Sequence, residues 1–334
     1  VGGLSNMFVS GMTVGQVNGT IPESVFFVFQ MTFALITPAL ITGAFADRMK
    51  FSAMLLFVAI WSVVVYSPIT HWVWGPGGFL GNDGVLDFAG GTVVHINSGI
   101  AGLVACLVIG KRTNYGQENM APHNLTLTLI GASMLWVGWF GFNAGSALAA
   151  DAAAGMAMTV THIAAASGAI AWSVMELIRY RKASLIGAVT GMVAGLATIT
   201  PASGSVGPVG GLVLGLAGGV VCYMVTQLIK QRFKIDDSLD VFAVHGVGGM
   251  LGTMLTAVFV SVVLGGNGLA EGMTIGSQLG VQALGIIIVA VWSGVLTAII
   301  VMVLKMFLTF RVDEETEVQG LDLALHGERG YHNM

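Results

Sequence analysis

Nine long apolar stretches, separated by short polar segments, constrain what this chain can become. They run at about residues 25–45, 53–71, 88–110, 125–149, 153–178, 184–200, 207–230, 240–265 and 276–310. A bilayer core takes about 20 consecutive apolar residues to cross as a helix, and most of the nine are near that length. The last is long enough that it must tilt or run beyond the membrane. The stretches show no strand-like alternation, so they read as helices, which satisfy their own backbone groups in lipid. A composition of 55% apolar and 9% charged residues excludes an ordinary soluble domain, in which roughly 25% are charged. Net charge −4 implies no electrostatic partner, nucleic acid included. No signal peptide is visible, and with Val1 in place of Met the sequence leaves upstream processing or truncation open.

The thirteen Lys and Arg residues set an orientation. Arg48, Lys50, Lys111, Arg112, Arg179, Arg181, Lys182, Lys230, Arg232, Lys234, Lys305, Arg311 and Arg329 all fall at one set of span ends. The positive-inside rule puts those ends in the cytoplasm. The amino end is then outside and the carboxyl end inside, as nine crossings allow. This divides the chain into an extracellular or periplasmic segment (1–23), a membrane domain (24–310) and a polar, acidic cytoplasmic tail (311–334). The tail reads as solvated or as a docking segment.

Two spans carry a repeated histidine. Val94-His95 is followed by Gly99, Ile100 and Gly102, and Val244-His245 by Gly249, Met250 and Gly252. An aspartate precedes each histidine, Asp87 in one case and Asp240 in the other. Glycines four and seven places on share a helix face and permit close helix approach, so both histidines should face the bundle interior. An ionisable residue in a span marks a pathway by default. Two separately satisfied histidines or a metal site are the alternatives, the latter without further ligands nearby. Four spans separate the histidine helices, which therefore run in opposite directions, the mark of an inverted repeat. The expected fold is all-α and polytopic: an inverted five-helix repeat plus a long last helix. The first unit shows three helices up to His95, so two helices are expected to be missing from the front, eleven making the complete set. His162 reads as a core histidine, and Cys106 and Cys222 as small buried hydrophobes.

Aromatic residues gather at the outer ends. Phe29 and Phe33 lie one turn apart, Trp74 falls in a loop, and Trp139-Phe140-Gly141-Phe142-Asn143-Ala144-Gly145-Ser146 closes the fourth span. Singly, each is an interfacial anchor. Together, Phe29, Trp74 and Ser146 can attract a cation through ring faces and accept an N–H at a hydroxyl. Asp87 caps its helix or binds that cation directly.

These residues resemble the Amt/Mep/Rh ammonium transporter family, and its Amt branch in particular. The resemblance is carried by Asp87-Phe88-Ala89-Gly90-Gly91 through Gly110-Lys111-Arg112, by Gly138 to Ser146, by Asp240-Val241-Phe242-Ala243-Val244-His245-Gly246, and by Gly320-Leu321-Asp322 with His326-Gly327-Glu328 in the tail. It implies that His95 and His245 are the twin histidines of a pore, with Phe33 and Phe142 the phenyl gate above them. Phe29, Trp74 and Ser146 resemble the outer recruitment site, with Asp87 and Trp139 in structural roles beside it. It also implies a homotrimer in the cell (inner) membrane serving nitrogen uptake. Ammonium is the expected substrate, methylammonium its analogue, and a PII-type (GlnK) regulator the partner at the cytoplasmic face. No cofactor is expected.

The mechanism expected is capture of ammonium outside, deprotonation at the gate and passage of neutral ammonia through an apolar pore, the proton following separately along the histidines. An Amt-like sensor is the alternative. An enzyme would need a nucleophile–base set, which the spans lack, and a water channel would not need the aromatic cation site.

Overall fold

The structure, a computed structural model, describes residues 3–4, 6–118 and 120–330. Eight of its helical segments are long and apolar enough to cross a membrane. These are α1 (Glu23–Thr42), the pair α2 (Phe51–Trp61) and α3 (Ser67–Trp74), α4 (Gly91–Ile109), α5 (Leu125–Gly145), α6 (Ala152–Tyr180), α8 (Pro208–Arg232), α9 (Phe242–Phe259) and α10 (Ile275–Phe307). The sixth expected span, 184–200, corresponds to α7 (Leu185–Ile199), a 15-residue helix. At 1.5 Å per residue it rises roughly 22 Å, short of a core about 30 Å thick. The chain continues as buried turns, Ala202 N–H donating to the Ile199 carbonyl and Val206 N–H to that of Ala202. Irregular backbone at this depth is tolerated because protein surrounds it.

Local chemistry sets the helix ends. Asn124, Asp151 and Ser184 accept N–H bonds from Leu127, Ala154 and Gly187 at the starts of α5, α6 and α7, and Thr274 forms a capping box with Ser277 at the start of α10. Between α2 and α3 a π-helical turn spans Ser62–Tyr66. Pro68 has no N–H to continue the ladder, and both the backbone N–H and the hydroxyl of Ser67 donate to the Ser62 carbonyl. Trp74 is the last residue of α3, not part of a loop as the sequence suggests. The amino-terminal segment is not loop throughout: β1 (Val17–Asn18) pairs antiparallel with β2 (Ile21–Pro22) across Gly19 at φ +60°, and Glu23 already belongs to α1.

The centre of the bundle is α4, 72% of whose span is buried, whereas α5 at the rim is only 11% buried. α6, α7 and α8 pack through glycine. A Cβ on Gly168 would meet Gly195 Cα at 2.9 Å, and one on Gly219 would meet the Gly168 carbonyl at 2.6 Å, so bulk there would force the helices apart. His162 is not a core residue: it is exposed on α6, beside Trp136 at 5.1 Å and Phe140 at 5.9 Å. The 3.6-residue period turns it away from Thr161 and Ala165, which are buried. Cys106 and Cys222 are buried free thiols.

At the end that carries the cations, buried Arg48 donates to the carbonyls of Gly110 (2.9 Å), Ala44 (3.0 Å) and Asp236 (2.6 Å). Arg112 pairs with both oxygens of Asp236 at 3.0 and 2.8 Å. Burial alone would raise the Asp236 carboxyl, but the Arg112 bonds outweigh it and hold it below the ordinary carboxylate range. The tail docks on the same loops rather than standing free. Val312 N–H donates to the Arg48 carbonyl at 3.0 Å, and Glu317, in α11 (Glu314–Gln319), accepts from Thr113 N–H at 2.6 Å and from Arg311 at 2.8 Å. Residues 331–334 of the expected tail, and 1, 2 and 5 of the amino-terminal segment, lie outside the described residues.

Candidate functional site

The two histidines meet. His95 and His245 are 1% and 7% exposed, and their Nδ1 atoms stand 3.2 Å apart with ring planes 21° from parallel. One Nδ1–H therefore donates to the other Nδ1. With both rings neutral, the donor ring keeps a bare Nε2 and the acceptor ring an Nε2–H, so the pair has a polarity that inverts when its protons shift. Each histidine sits in a π-helical turn at the start of its helix, Gly91–Ile96 and Phe242–Val247, a distortion common at functional positions.

The glycines bring the helices together in a reciprocal way. A Cβ on Gly249, four places after His245, would stand 2.8 Å from the Gly91 carbonyl and 2.9 Å from His95 Cβ. A Cβ on Gly99, four places after His95, would run into the backbone of Gly246 and lie 3.2 Å from the His245 carbonyl carbon. Each helix thus opens a notch for the other's histidine turn. The glycines seven places on serve other neighbours: Gly102 faces Ala44 and Val241, and Gly252 faces Thr198 and Pro201.

The carboxylates obey the same symmetry, and here the sequence reading needs correction. Asp87 accepts N–H bonds from Gly90 (2.8 Å), Gly91 (2.6 Å), Thr92 (2.7 Å) and Val93 (3.2 Å), plus the Thr92 hydroxyl. It satisfies the unpaired donors of a helix start, and none of its oxygens is left over for a cation. Its counterpart on α9 is Asp237, which accepts from Val241 (3.0 Å) and Phe242 (2.8 Å). Asp240 instead pairs with Lys230 at 2.8 Å. The eight-residue spacing shared by Asp87/His95 and Asp237/His245 is the signal that identifies the right aspartate. Three residues after each cap the backbone enters positive φ, at Gly90 (+119°) and Asp240 (+60°).

Burial, with Asp240 close by, pushes the Asp237 carboxyl up to about 7. Against an unfolded value of about 3.9, the folded chain binds the extra proton between those two values, so this group's share of stability falls as pH rises through that window. Asp237→Asn, which keeps a carbonyl acceptor but cannot ionise, should lose that dependence. Thermal unfolding in detergent at pH 4.5 and 8 checks it: the Asn variant should gain on the parent chain at the higher pH, and a pH-independent difference would contradict the assignment.

From the end opposite the cations, rings form a continuous column toward the pair. Phe33, 1% exposed, touches Phe29 (4.9 Å), Trp74 (5.2 Å) and Phe142 (4.6 Å between centroids). Phe142 stacks on His95 at 6.1 Å, and Trp139 on His95 at 5.5 Å. The Trp139 indole N–H donates to Thr200 at 2.9 Å, and that of Trp74 to the Asp87 carbonyl at 2.8 Å. Above the column opens a vestibule of 870 Å³ lined by Phe29, Phe33, Trp74 and Ser146, among others. The Ser146 hydroxyl donates to the Phe142 carbonyl at 2.8 Å, leaving its oxygen free to accept. A second, mostly apolar cavity of 690 Å³ lies between α1 and α5 and reaches both histidines past Ile36, Gly138 and Trp139.

Phe33, Phe142, Trp139, His95 and His245 thus lie in one column, with Phe29, Trp74 and Ser146 at its vestibule and Asp87 beside it as a cap, whereas Asp240 and His162 lie apart. Sequence reasoning passed over Asp237 and the buried Gln278 and Gln282 of α10. No group of three or more His, Cys, Asp or Glu suited to a metal ion occurs among the described residues.

Comparison with known proteins agrees over nearly the whole chain. The model of the Ammonium Transporter Family matches residues 3–331. An ammonium transporter of Aquifex aeolicus (strain VF5) is 47% identical over 97% of this chain and 76% of its own length, and one of Bacillus subtilis (strain 168) is 45% identical over 97% and 80%. Among solved structures, a protein described as "Sensor Amt Protein" superposes with TM-score 0.86 at 35% identity, over 92% of this chain and 77% of that one. Saccharomyces cerevisiae Mep2 gives 0.78 at 35% identity, over 88% and 70%.

Proposed function

Since this chain belongs to the ammonium transporter family, we propose that it takes up ammonium at the vestibule of Phe29, Trp74 and Ser146 and passes ammonia along the His95–His245 pair. The vestibule faces outward, the basic ends and the tail face the cytoplasm, and the protein works in the cell membrane as a homotrimer serving nitrogen uptake. The observation that carries this reading is the unbroken run of rings from Trp74 to His95, with the second histidine bonded to the first.

Ammonium above Phe29 and Trp74 is held by ring faces and by one N–H donated to the Ser146 oxygen. Passing Phe33 and Phe142 as a cation would cost several kcal/mol without a charged partner, and a neutral amine avoids most of that cost. Potassium has no proton to give up and is excluded. The released proton is handed along the Nδ1–Nδ1 bond, each transfer inverting the polarity of the pair. The docked tail and adjacent basic loops offer the surface for a PII-type partner.

Solid-supported-membrane currents on purified protein, with ammonium and then potassium pulses, test substrate, charge movement and selectivity together. Current with ammonium alone supports the reading, and equal responses to both end it. A sensor is the second reading, suggested by the sensor-type structure at 35% identity, whereas relatives at 45–47% bear the name of transporters. Methylammonium accumulation in proteoliposomes separates the two. Trp74→Leu should raise the half-saturating ammonium concentration by about 2- to 30-fold, the worth of one cation–π contact, with maximal current retained. An unchanged half-saturation would remove Trp74 from the site.

A further inference from the structure

What holds Trp74 in place lies away from the pore. Its indole meets the edge of Phe33 and donates to the carbonyl of Asp87. The backbone from Gly84 to Gly90 belongs to no helix, so its polar groups need partners from other segments. α10 supplies them. Gln282, fully buried, accepts from Leu86 N–H at 2.8 Å and donates to the Leu86 carbonyl at 2.8 Å, pairing with both polar groups of one residue as a neighbouring strand would. The same amide donates to the Thr253 carbonyl on α9 at 3.0 Å. Gln278, one turn earlier, donates to the Gly84 carbonyl (2.9 Å) and to Gln282 Oε1 (3.2 Å). From the other side, Phe88 N–H donates to the Pro201 carbonyl at 3.1 Å.

A helix with an apolar exposed face has no need of two buried amides for its own stability, since burying an amide costs free energy unless it is fully paired. These two are paired chiefly with the segment that carries Asp87. We infer that Gln282 is a positioning residue for the outer cation site: it fixes the Leu86–Asp87 backbone, and through the Asp87 carbonyl it sets the Trp74 indole. The functional part of this inference rests on the reading above that Trp74 meets ammonium.

The test uses Gln282→Glu and Gln282→Leu in the full chain, with 5-fluorotryptophan incorporated and the Trp74 fluorine resonance identified by its loss in Trp74→Phe. The Glu variant keeps the side-chain volume and an acceptor for Leu86 N–H while leaving at most one O–H donor for the Leu86 and Thr253 carbonyls, and so tests the bonds where Leu disrupts folding. The expected result is a shifted or broadened Trp74 resonance, with half-saturation for ammonium raised about 2- to 10-fold as one cation–π contact weakens, and maximal current held within about twofold. In a Trp74→Leu background the Gln282 substitution should add no further rise. An unmoved Trp74 resonance overturns the inference. So does a fall in maximal current at unchanged half-saturation, or a rise that multiplies with that of Trp74→Leu. If Trp74→Leu alone leaves half-saturation unchanged, the recruitment reading fails, and the fluorine resonance still decides whether Gln282 positions the indole.

Discussion

His245→Leu is expected to cut ammonium-driven current sharply. The substitution removes one partner of the 3.2 Å Nδ1–Nδ1 bond and leaves His95, 1% exposed, with a buried ring nitrogen unpaired. An orphaned buried polar group costs about 1–3 kcal/mol. If that loss falls on the crossing state, it corresponds to roughly a 5- to 150-fold drop in rate. His95→Leu should do the same from the other side, and additionally strip the ring on which Phe142 and Trp139 stack. Both variants are compared with the parent chain for current under ammonium and potassium pulses, and for methylammonium uptake. Unchanged current with unchanged selectivity in both would end the assignment of the pair as the conduit. Uptake that persists without current would instead assign the histidines to the proton alone.

Gly249→Ala and Gly99→Ala should each damage both stability and transport, because each intrudes on the other helix's histidine turn. At Gly249 the added carbon would stand 2.8 Å from a carbonyl oxygen and 2.9 Å from His95 Cβ, and at Gly99 it would strike backbone. Backbone cannot swing aside as a side-chain tip can, so α4 and α9 must part. Overpacking of this kind costs about 1–3 kcal/mol. The separation also stretches the histidine bond beyond hydrogen-bonding reach, so a loss of current accompanies the loss of stability. Gly280→Ala is the control: it is helical, exposed on α10 and has nothing within 4 Å of the added carbon. It should leave stability unchanged or raise it by up to about 1 kcal/mol through helix propensity. Unfolding midpoints and currents for the three variants decide the matter. Equal behaviour at 249 and 280 would show that the notch is not needed.

The errors in the sequence reading share one cause. Asp237 and Asp240 are both aspartates just ahead of His245, and composition cannot tell them apart. A positive φ at Asp240 turns its side chain to Lys230 and leaves Asp237 on the helix start. An apolar run says how polar a helix is, not which side of it faces a neighbour, so His162 reads as a core residue although α6 presents it outward. The sequence places Trp74 in a loop, yet the helix runs up to Gly75. The 184–200 stretch reads as a span from its apolar composition, yet it folds as the 15-residue α7, and the turns that follow are not helical.

Hydropathy, the one-sided cations and the twin histidine motif by themselves determined that the chain spans a membrane many times and carries two imidazoles in matched settings. Those properties are additive along the chain, each residue contributing through its own transfer free energy. Only the tertiary structure decided that the two rings touch, that each helix makes room for the other at a glycine, and that Gln282 bonds the Leu86 backbone beside the Asp87 carbonyl to which Trp74 donates. Such contacts join segments 150 or more residues apart, and packing geometry between distant helices is not a sum over local sequence.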